Sequence, residues 1–270
     1  MLGVSITTTA VHLVLVEAES ADGATIDHDI LSLTDRSGLA AEQLVSGVLG
    51  TLAIASTSGH RLRAVGVAFA RGCRPAAEEL REGLTACGFN RVLLASELQA
   101  AEVLARAVGR KTGYVTTGVV SIQPDAATVA VVHSDADYGR GTRVMTAMLN
   151  RDRPAESRQA LAELVALLDT DDDRPDGIYV VSADVDLTGL AEFLGAEVSV
   201  PVTTPDQPEL ALARGAALTA ASEFGDLVDD LLPSDGKPLL FVPRTAPAPP
   251  VAADTKPSRK RRKHGLTVPI

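Results

Sequence analysis

The stretch GVSITTT at residues 3–9 places a cluster of hydroxyl side chains between two strand-like runs. A turn of this kind, with Thr7, Thr8 and Thr9 at its tip, can bind phosphate oxygens through hydroxyl and backbone N–H groups. It can also be a hairpin turn of the same shape that binds nothing. Carboxylates and glycines elsewhere in the chain decide between the two, because phosphate chemistry needs a metal shell and a close backbone approach.

Two other stretches resemble ligand-binding motifs. GRKTG at residues 109–113 lacks the glycine that a P-loop has five residues earlier, and we interpret it as the turn that ends a helix. DTDDDRPD at residues 169–176 has carboxylates at EF-hand positions 1, 3 and 5, but Arg174 replaces the glycine and Val180 the final glutamate, which predicts a solvated loop. No pair among the five histidines has metal-ligand spacing, so no metal site is predicted.

The charge of the chain is unevenly distributed. The net charge is −10, but six of the 25 basic residues and none of the 35 acidic residues lie in 256–270, so residues 1–255 carry −16. The run SRKRRK could attract anionic lipid headgroups or polyphosphate, and the alternative is a solubilising tail. Its cations are Arg259, Lys260, Arg261, Arg262 and Lys263. Aromatic residues make up only 3% of the chain, so no specific nucleic-acid partner is expected.

The cysteine content and the absence of long apolar runs indicate the cellular compartment in which the protein is expected. Cys73 and Cys87 have neither metal-ligand nor redox spacing, which suits a reducing cytosol, and Cys73 is interpreted as inert although Arg71 and Arg74 flank it. No apolar run approaches the roughly 18 residues of a membrane span, and no signal peptide opens the chain. We expect a cytoplasmic protein, and if the basic tail binds lipid rather than serving as a solubilising tail, that contact is weak and lies at the inner face of the membrane.

The elements that must position these residues follow one order twice. The first half predicts strands at 2–8, 11–17, 26–33, 62–70 and 91–95, and helices at 41–52, 75–88 and 96–109. The second half predicts strands near 113–122, 126–134, 143–149, 177–182 and 197–200, and helices near 155–168, 187–194 and 208–224. Each half therefore has the order βββαβαβα. This is a repeat of topology without detectable residue identity.

Two consecutive units of this order resemble the actin, Hsp70 and sugar-kinase ATPase superfamily, whose two ribonuclease-H-like lobes clamp a nucleotide. Residues 3–9 lie where the family begins with G-I-D-L-G-T-T, and residues 121–128 lie where its second lobe opens with D-I-G-G-G-T-T-D. LLASELQAAEVLARAVG at 93–109 is similar to the N-E-P-T-A-A-A-L-A segment of Hsp70 proteins, with Glu97 at the acidic position. Residues 213–218, ARGAAL, are similar to the A-x-G-A-A-L of the adenosine region.

This sequence departs from the family at the positions that hold the metal shell and approach the nucleotide. Ser5 and Ser121 stand at the positions of the two aspartates that hold the metal shell, and neither can contribute a charge. Thr7 replaces a glycine of the first phosphate turn. Residues 123–125, QPD, replace the three glycines of the second turn, and residues 182–184, SAD, replace glycines of the adenosine region. Proline has no N–H to offer a phosphate, so these changes together argue against catalysis.

The sequence therefore predicts an α/β protein with two tandem ribonuclease-H-like lobes, at 1–111 and 112–225. The resemblance covers about residues 1–224 and implies a minimal actin-like ATPase body without the family's large inserted subdomains. The remaining residues, 226–270, are rich in Pro and Ala and then basic, which predicts a disordered tail.

The function implied by the resemblance is that of a pseudo-ATPase, a scaffold or regulator with no catalytic residue and no cofactor that acts on an unidentified protein partner. The alternative is a divergent ATPase that binds ATP or ADP with Mg in the inter-lobe cleft, with Glu97 and Asp184 as substitute metal-shell carboxylates. A third possibility is another anionic small molecule in the cleft. Under the ATPase alternative the cleft residues are Ser5, Thr7, Thr8, Thr9, Glu97, Gln123, Ser182, Asp184 and Gly215.

Overall fold

The computed structural model describes residues 1–16, 25–32, 41–57, 59, 62–134, 144–169 and 174–224. The predicted basic tail, and with it the anionic-surface residues Arg259 to Lys263, lies outside the described residues, as does the centre of the acidic segment. In the described part of the chain, no helix is long and apolar enough to cross a membrane.

Apolar, β-branched runs in the first half form a five-stranded sheet. Its strands are β1 (Leu2–Ile6), β2 (Ala10–Val16), β3 (Thr25–Ser32), β4 (Val65–Phe69) and β5 (Val92–Ser96). The helices of this half are α1 (Ala41–Thr57), α2 (Arg74–Ala86) and α3 (Glu97–Thr112). Because β1 pairs antiparallel with β2 and parallel with β4, the strand order is β3-β2-β1-β4-β5.

The second half forms another five-stranded sheet. Its strands are β6 (Thr116–Ile122), β7 (Ala126–His133), β8 (Val144–Met148), β9 (Gly177–Val181) and β10 (Val202–Thr203). The helices are α4 (Pro154–Ala166), α5 (Leu190–Gly195) and α6 (Pro208–Phe224), and a short 3₁₀ turn (Leu167–Asp169) follows α4. The order β10-β9-β6-β7-β8 is that of the first sheet, with β6 in the place of β1. The predicted repeat of topology is confirmed.

The two hairpins that open the halves are built alike. In the first, the Thr7 N–H bonds to the carbonyl of Ala10 at 3.0 Å, and in the second the Gln123 N–H bonds to the carbonyl of Ala126 at 2.8 Å. Three-residue turns therefore begin at Thr7 and at Gln123. The two halves therefore begin with equivalent turns.

The last helix of each half packs against the other half. Helix α6 lies on the first sheet so closely that a Cβ on Gly3 would come within 1.8 Å of the Ala213 carbonyl oxygen. Helix α3 reaches the second sheet, where a Cβ on Gly109 would lie 2.6 Å from the Thr117 hydroxyl. The crossed helices enclose a small-residue core between the sheets, which includes Ala68, Ala100, Ala101, Ala105, Val119, Ala211 and Ala216.

Most of the predicted elements form close to their predicted bounds, and several details differ. Helix α3 continues past Gly109 to Thr112 and ends at Gly113, whose φ of 78° is the left-handed conformation that terminates helices. GRKTG is thus the end of a helix, as predicted. The strand predicted at 197–200 forms instead as β10, two residues long and just beyond Pro201. Helix α1 extends to Thr57, one turn further than its apolar face indicates.

Candidate functional site

The hydroxyl of Thr7 is used inside its own turn. Thr7 is 1% exposed, and its Oγ1 accepts hydrogen bonds from the N–H of Thr9 at 3.3 Å and of Ala10 at 3.0 Å. The same hydroxyl donates to the carbonyl of Ala10 at 3.0 Å. Two amides of this turn, those of Thr9 and Ala10, therefore already have a partner within the turn.

The loop that follows β9 repeats this arrangement. Ser182 is 1% exposed, and its Oγ accepts hydrogen bonds from the N–H of Asp184 at 3.3 Å and of Val185 at 2.9 Å. The serine that replaces a family glycine thus caps the backbone of its own loop. Each loop therefore bonds two of its amides to a hydroxyl side chain that glycine does not have.

Thr9 joins the first turn to the second half. Its hydroxyl donates a hydrogen bond of 2.5 Å to Oδ1 of Asp184, in the loop that follows β9. Thr8, next to it, is exposed at the tip of the turn. The threonine cluster therefore contacts a carboxylate of the other half.

A second hydrogen bond joins the halves, and here the donor comes from the second half and the carboxylate from the first. Gln123, at the start of the β6–β7 turn, donates a short hydrogen bond from Nε2 to Oε2 of Glu97 in the first turn of α3. We call this contact and the Thr9–Asp184 contact the inter-lobe bridges. In each bridge, a carboxylate from one half accepts a hydrogen bond from the other half.

Glu97 is held at a fixed position and in an unusual electrostatic environment. Helix α3 begins with a capping box, in which Ser96 and Gln99 bond each other's backbone N–H groups. This cap places Glu97 at the first helical residue, where it is only 6% exposed. Burial raises the pKa of Glu97 to about 7, the Gln123 hydrogen bond opposes the shift, and the charge of Asp184 adds to it.

Two further titratable groups, His12 and Cys73, interact electrostatically with the carboxylates of the inter-lobe bridges. The sequence analysis assigned neither of them to a site. His12 is 4% exposed and its Nδ1 lies 3.4 Å from the hydroxyl of Ser5. Burial lowers the pKa of His12, against the charges of Asp184 and Glu209. The signal in the sequence was a lone polar residue in the apolar strand AVHLVLV, which indicates a polar partner rather than a free surface.

Cys73 lies within electrostatic reach of both bridge carboxylates. Burial raises the pKa of its thiol, and Glu97 and Asp184 raise it further. This direction is opposite to the one that Arg71 and Arg74 alone would give, and it is typical of an unreactive thiol. Both cysteines are free.

The remaining predicted site residues do not gather at the bridges in the same way. Ser121 is buried on β6, opposite Thr128 of β7. Gly215 lies in α6, where a Cβ would come within 2.2 Å of the carbonyl oxygen of Ala100 in α3. Its position is therefore explained by the close crossing of two helices.

The described residues contain no group of three or more His, Cys, Asp or Glu side chains that could hold a metal ion. At the ends of the acidic segment, Asp169 pairs with Arg174 at 2.9 Å, and Asp176 accepts the N–H groups of Val115 and Thr116. Both carboxylates therefore bond to groups of the protein itself. A groove of about 820 Å³ between α4 and α5 contains none of the predicted site residues.

Comparison with solved structures identifies the architecture. PilM–PilN, a type IV pilus biogenesis complex, has a TM-score of 0.56 at 15% identity, with 82% of this chain and 98% of that chain covered. An inorganic polyphosphate/ATP-glucomannokinase from Arthrobacter sp. strain KM has a TM-score of 0.56 at 13% identity, covering 83% and 98%. The 2-hydroxyisocaproyl-CoA dehydratase activator from Clostridium difficile, with bound ADPNP, has 0.53 at 16% identity, covering 86% and 98%.

These similarities, with the two equivalent sheets, confirm the two-lobe fold of the actin-like ATPase superfamily. Comparison with curated proteins finds no match. A family model does match, over residues 1–227. The chain therefore belongs to the family of unknown function DUF7159.

Proposed function

We propose that this protein is a non-catalytic member of the actin-like fold that acts through contacts with another protein. One observation carries the proposal: the hydroxyls of Thr7 and Ser182 take up the amides of two loops that would otherwise be open to a phosphate. A nucleotide phosphate would have to compete for these amides with hydrogen bonds that each contribute about 0.5–1.5 kcal/mol.

The side chains around these loops support the same proposal. Phosphoryl transfer relies on carboxylates that hold a metal, and Ser5 and Ser121 offer none at the two positions implied by the resemblance. Glu97 and Asp184, the substitute carboxylates of the ATPase alternative, are engaged by Gln123 and Thr9. The residues present therefore do not fit a magnesium nucleotide.

A contact with another protein is supported by the edge of the second sheet. Strand β8 pairs only with β7 among the described residues, and it carries no charged side chain. Val144 is 48% exposed and Met148 is 66% exposed. Open edges of this kind accept an extended strand from a partner. PilM, which shares the fold, is seen in a complex with PilN.

The orientation of the β8 backbone defines a specific test of this contact. The Leu149 N–H bonds to the carbonyl of Asp125, so in the antiparallel register the N–H and C=O of Thr146 point away from β7. Thr146→Pro removes an outward donor and spares the ladder, whereas Thr146→Ala keeps both. With this protein as bait, Thr146→Pro should lose a strand-binding partner that Thr146→Ala retains, and Mg-ATP should not change the capture.

Equal capture by the wild type and Thr146→Pro would exclude the β8 edge, and capture that depends on nucleotide would contradict a non-catalytic role. The basic run at 259–263 supports a second, weak contact with an anionic surface. Sedimentation with phosphatidylserine vesicles at low and high salt tests it. Equal pelleting of the full chain and a 1–255 truncation would remove this role.

A further inference from the structure

The two sheets have equivalent edge strands whose outward backbone groups can be identified from the register. Strand β3 is the outer strand of the first sheet, and β8 has the same place in the second. In antiparallel pairing, alternate residues of an edge strand direct their N–H and C=O groups away from the sheet. On β8 these residues are Val144, Thr146 and Met148, because Leu149 and its alternates bond to β7. Three residues of β8 therefore direct backbone groups outward.

The outward N–H groups of β3 already have acceptors, and those acceptors are charged. His28 and Ile30 each donate to the carboxylate of the preceding residue, an aspartate, at 2.9 and 2.8 Å. Charged side chains on an edge strand also discourage pairing with another strand. On β8 the only polar side chain is that of Thr146, whose hydroxyl lies 3.2 Å from the Thr128 hydroxyl of β7. Carboxylates therefore protect the edge of the first sheet, whereas β8 has no charged side chain to protect its own.

We propose that the occupant of the β8 edge is a second copy of this chain, whose β8 pairs antiparallel with the first about a twofold axis at Thr146. This inference rests on the proposed function, since it names the partner of the same edge. In this register Thr146 lies opposite Thr146 of the partner subunit, and Val144 lies opposite Met148 of the partner subunit. The second sheets of two molecules then form one continuous sheet.

Strand β8 is complementary to itself in this register. Its outward residues are spaced two apart, so a twofold axis at Thr146 exchanges the outer two, Val144 and Met148. Each opposed pair can exchange two N–H···O=C hydrogen bonds. An axis perpendicular to the sheet keeps these side chains on one face, so that Val144, 48% exposed, and Met148, 66% exposed, cover each other across the interface. Thr146 meets its own copy, and Thr–Thr pairs across strands are stabilising.

The charge of the chain favours β8 as the contact between two copies. Residues 1–255 carry −16, so two molecules repel each other on average. The twofold register opposes no charged side chains within β8. A contact of this kind should tighten as salt rises, because salt screens the repulsion between the two acidic bodies. A contact between the basic run at 259–263 of one copy and the acidic body of another should instead weaken with salt.

Sedimentation velocity of the purified full chain tests this pairing. The wild type should change from monomer to dimer between about 1 µM and about 1 mM, and at lower concentration in high salt. Thr146→Pro removes one central N–H from each subunit, so the dimer should weaken about a hundredfold. Thr146→Ala keeps that N–H and should stay within about tenfold of the wild type. His28→Pro, at an outward position of β3, is the matched control and should dimerise as the wild type.

Two charge variants test the register itself. Because Thr146 is its own partner across the axis, Thr146→Asp or Thr146→Lys alone opposes two like charges and should prevent dimer formation. An equimolar mixture of the two variants opposes unlike charges, so dimers should return. Thr146 is exposed in the single chain, and both variants should keep the far-UV circular dichroism spectrum of the wild type.

A wild type that stays monomeric throughout this range would overturn the second copy as the occupant. The proposed function would still stand in that case if Thr146→Pro lost a different protein partner, so the two failures are distinguishable. Dimers that persist unchanged in Thr146→Pro would also overturn the pairing. So would a mixture of the charge variants that dimerises no better than either variant alone.

Discussion

The Thr9 hydroxyl donates a hydrogen bond of 2.5 Å to the Asp184 carboxylate, across 175 residues of chain. Thr9 lies in the turn that has the place and outline of a phosphate turn. Its hydroxyl bonds to a side chain of the other half, whereas the Thr7 hydroxyl accepts hydrogen bonds from two amides of the turn itself. The turn therefore acts as a joint between the two lobes.

The Thr9–Asp184 bridge should contribute measurably to stability. Thr9→Val keeps the shape of the side chain and removes the hydroxyl, so we expect a loss of about 1 kcal/mol in the free energy of unfolding, the typical net contribution of one intramolecular hydrogen bond. Urea denaturation measures the change. Thr8→Val, at the exposed neighbour, is the control and should change the free energy by less than about 0.5 kcal/mol. An equal effect at both positions would show that the bridge contributes nothing.

Thr7 should be more costly to replace than Thr9. Thr7→Val leaves the N–H groups of Thr9 and Ala10 without their partner in a turn whose side chain is buried, and the expected loss is about 1–3 kcal/mol. Thr7→Ser keeps the hydroxyl and should retain most of the stability. If Thr7→Ser lost as much as Thr7→Val, packing of the methyl group would explain the position better than capping does.

The crossing of α6 over the first sheet should not tolerate a side chain at Gly3. A Cβ there would lie 1.8 Å from the Ala213 carbonyl oxygen, so Gly3→Ala must displace the helix and should cost about 3 kcal/mol, the upper end of the range for overpacking. The matched substitution Gly50→Ala lies in α1, where a Cβ would meet nothing within 4 Å. It should stabilise the protein by up to about 1 kcal/mol, because alanine favours the helix. Thermal unfolding compares the two, and similar stability for both would contradict the described packing.

The buried Glu97 should make the stability of the fold depend on pH. Its pKa is about 7 in the folded chain and 4.5 in the reference state, so the folded chain binds more protons between these values. Its contribution to the free energy of unfolding therefore decreases as the pH rises from about 4.5 to 7, by about 3 kcal/mol at most. Glu97→Gln should flatten this part of the profile in urea titrations. A profile that is the same in the variant would place the titration on another group.

Local sequence patterns predicted the helices and strands well where the hydrophobic periodicity agreed with the capping and turn residues. The Ser96–Gln99 spacing predicted the capping box that positions Glu97, and the predicted final helix at 208–224 has the bounds of α6. The prediction of a strand at 197–200 was wrong, because a short apolar run does not show which of its residues will pair with a neighbouring strand. Pairing occurs beyond Pro201, where Val202 meets Ile178 of β9.

Four of the predicted cleft residues contact one another in the structure, and the sequence did not predict those contacts. The resemblance singled out Thr9, Glu97, Gln123 and Asp184, and these residues do form the inter-lobe bridges. Their pairing depends on how α3 and α6 cross, and no local pattern records that geometry. The roles of Thr7 and Ser182 as caps were also hidden, since a hydroxyl in place of glycine can either bind a ligand or bond its own loop.

Nucleotide binding tests the non-catalytic proposal most directly. Thermal unfolding of the wild type should be the same with and without millimolar Mg-ATP, Mg-ADP or Mg-ADPNP, and calorimetric titration should show no saturable heat. A nucleotide at 100 times its dissociation constant would stabilise the fold by about 2.7 kcal/mol, which is readily measured. Saturable stabilisation that Glu97→Ala or Asp184→Ala abolishes would contradict the proposal and make the cleft a working nucleotide site.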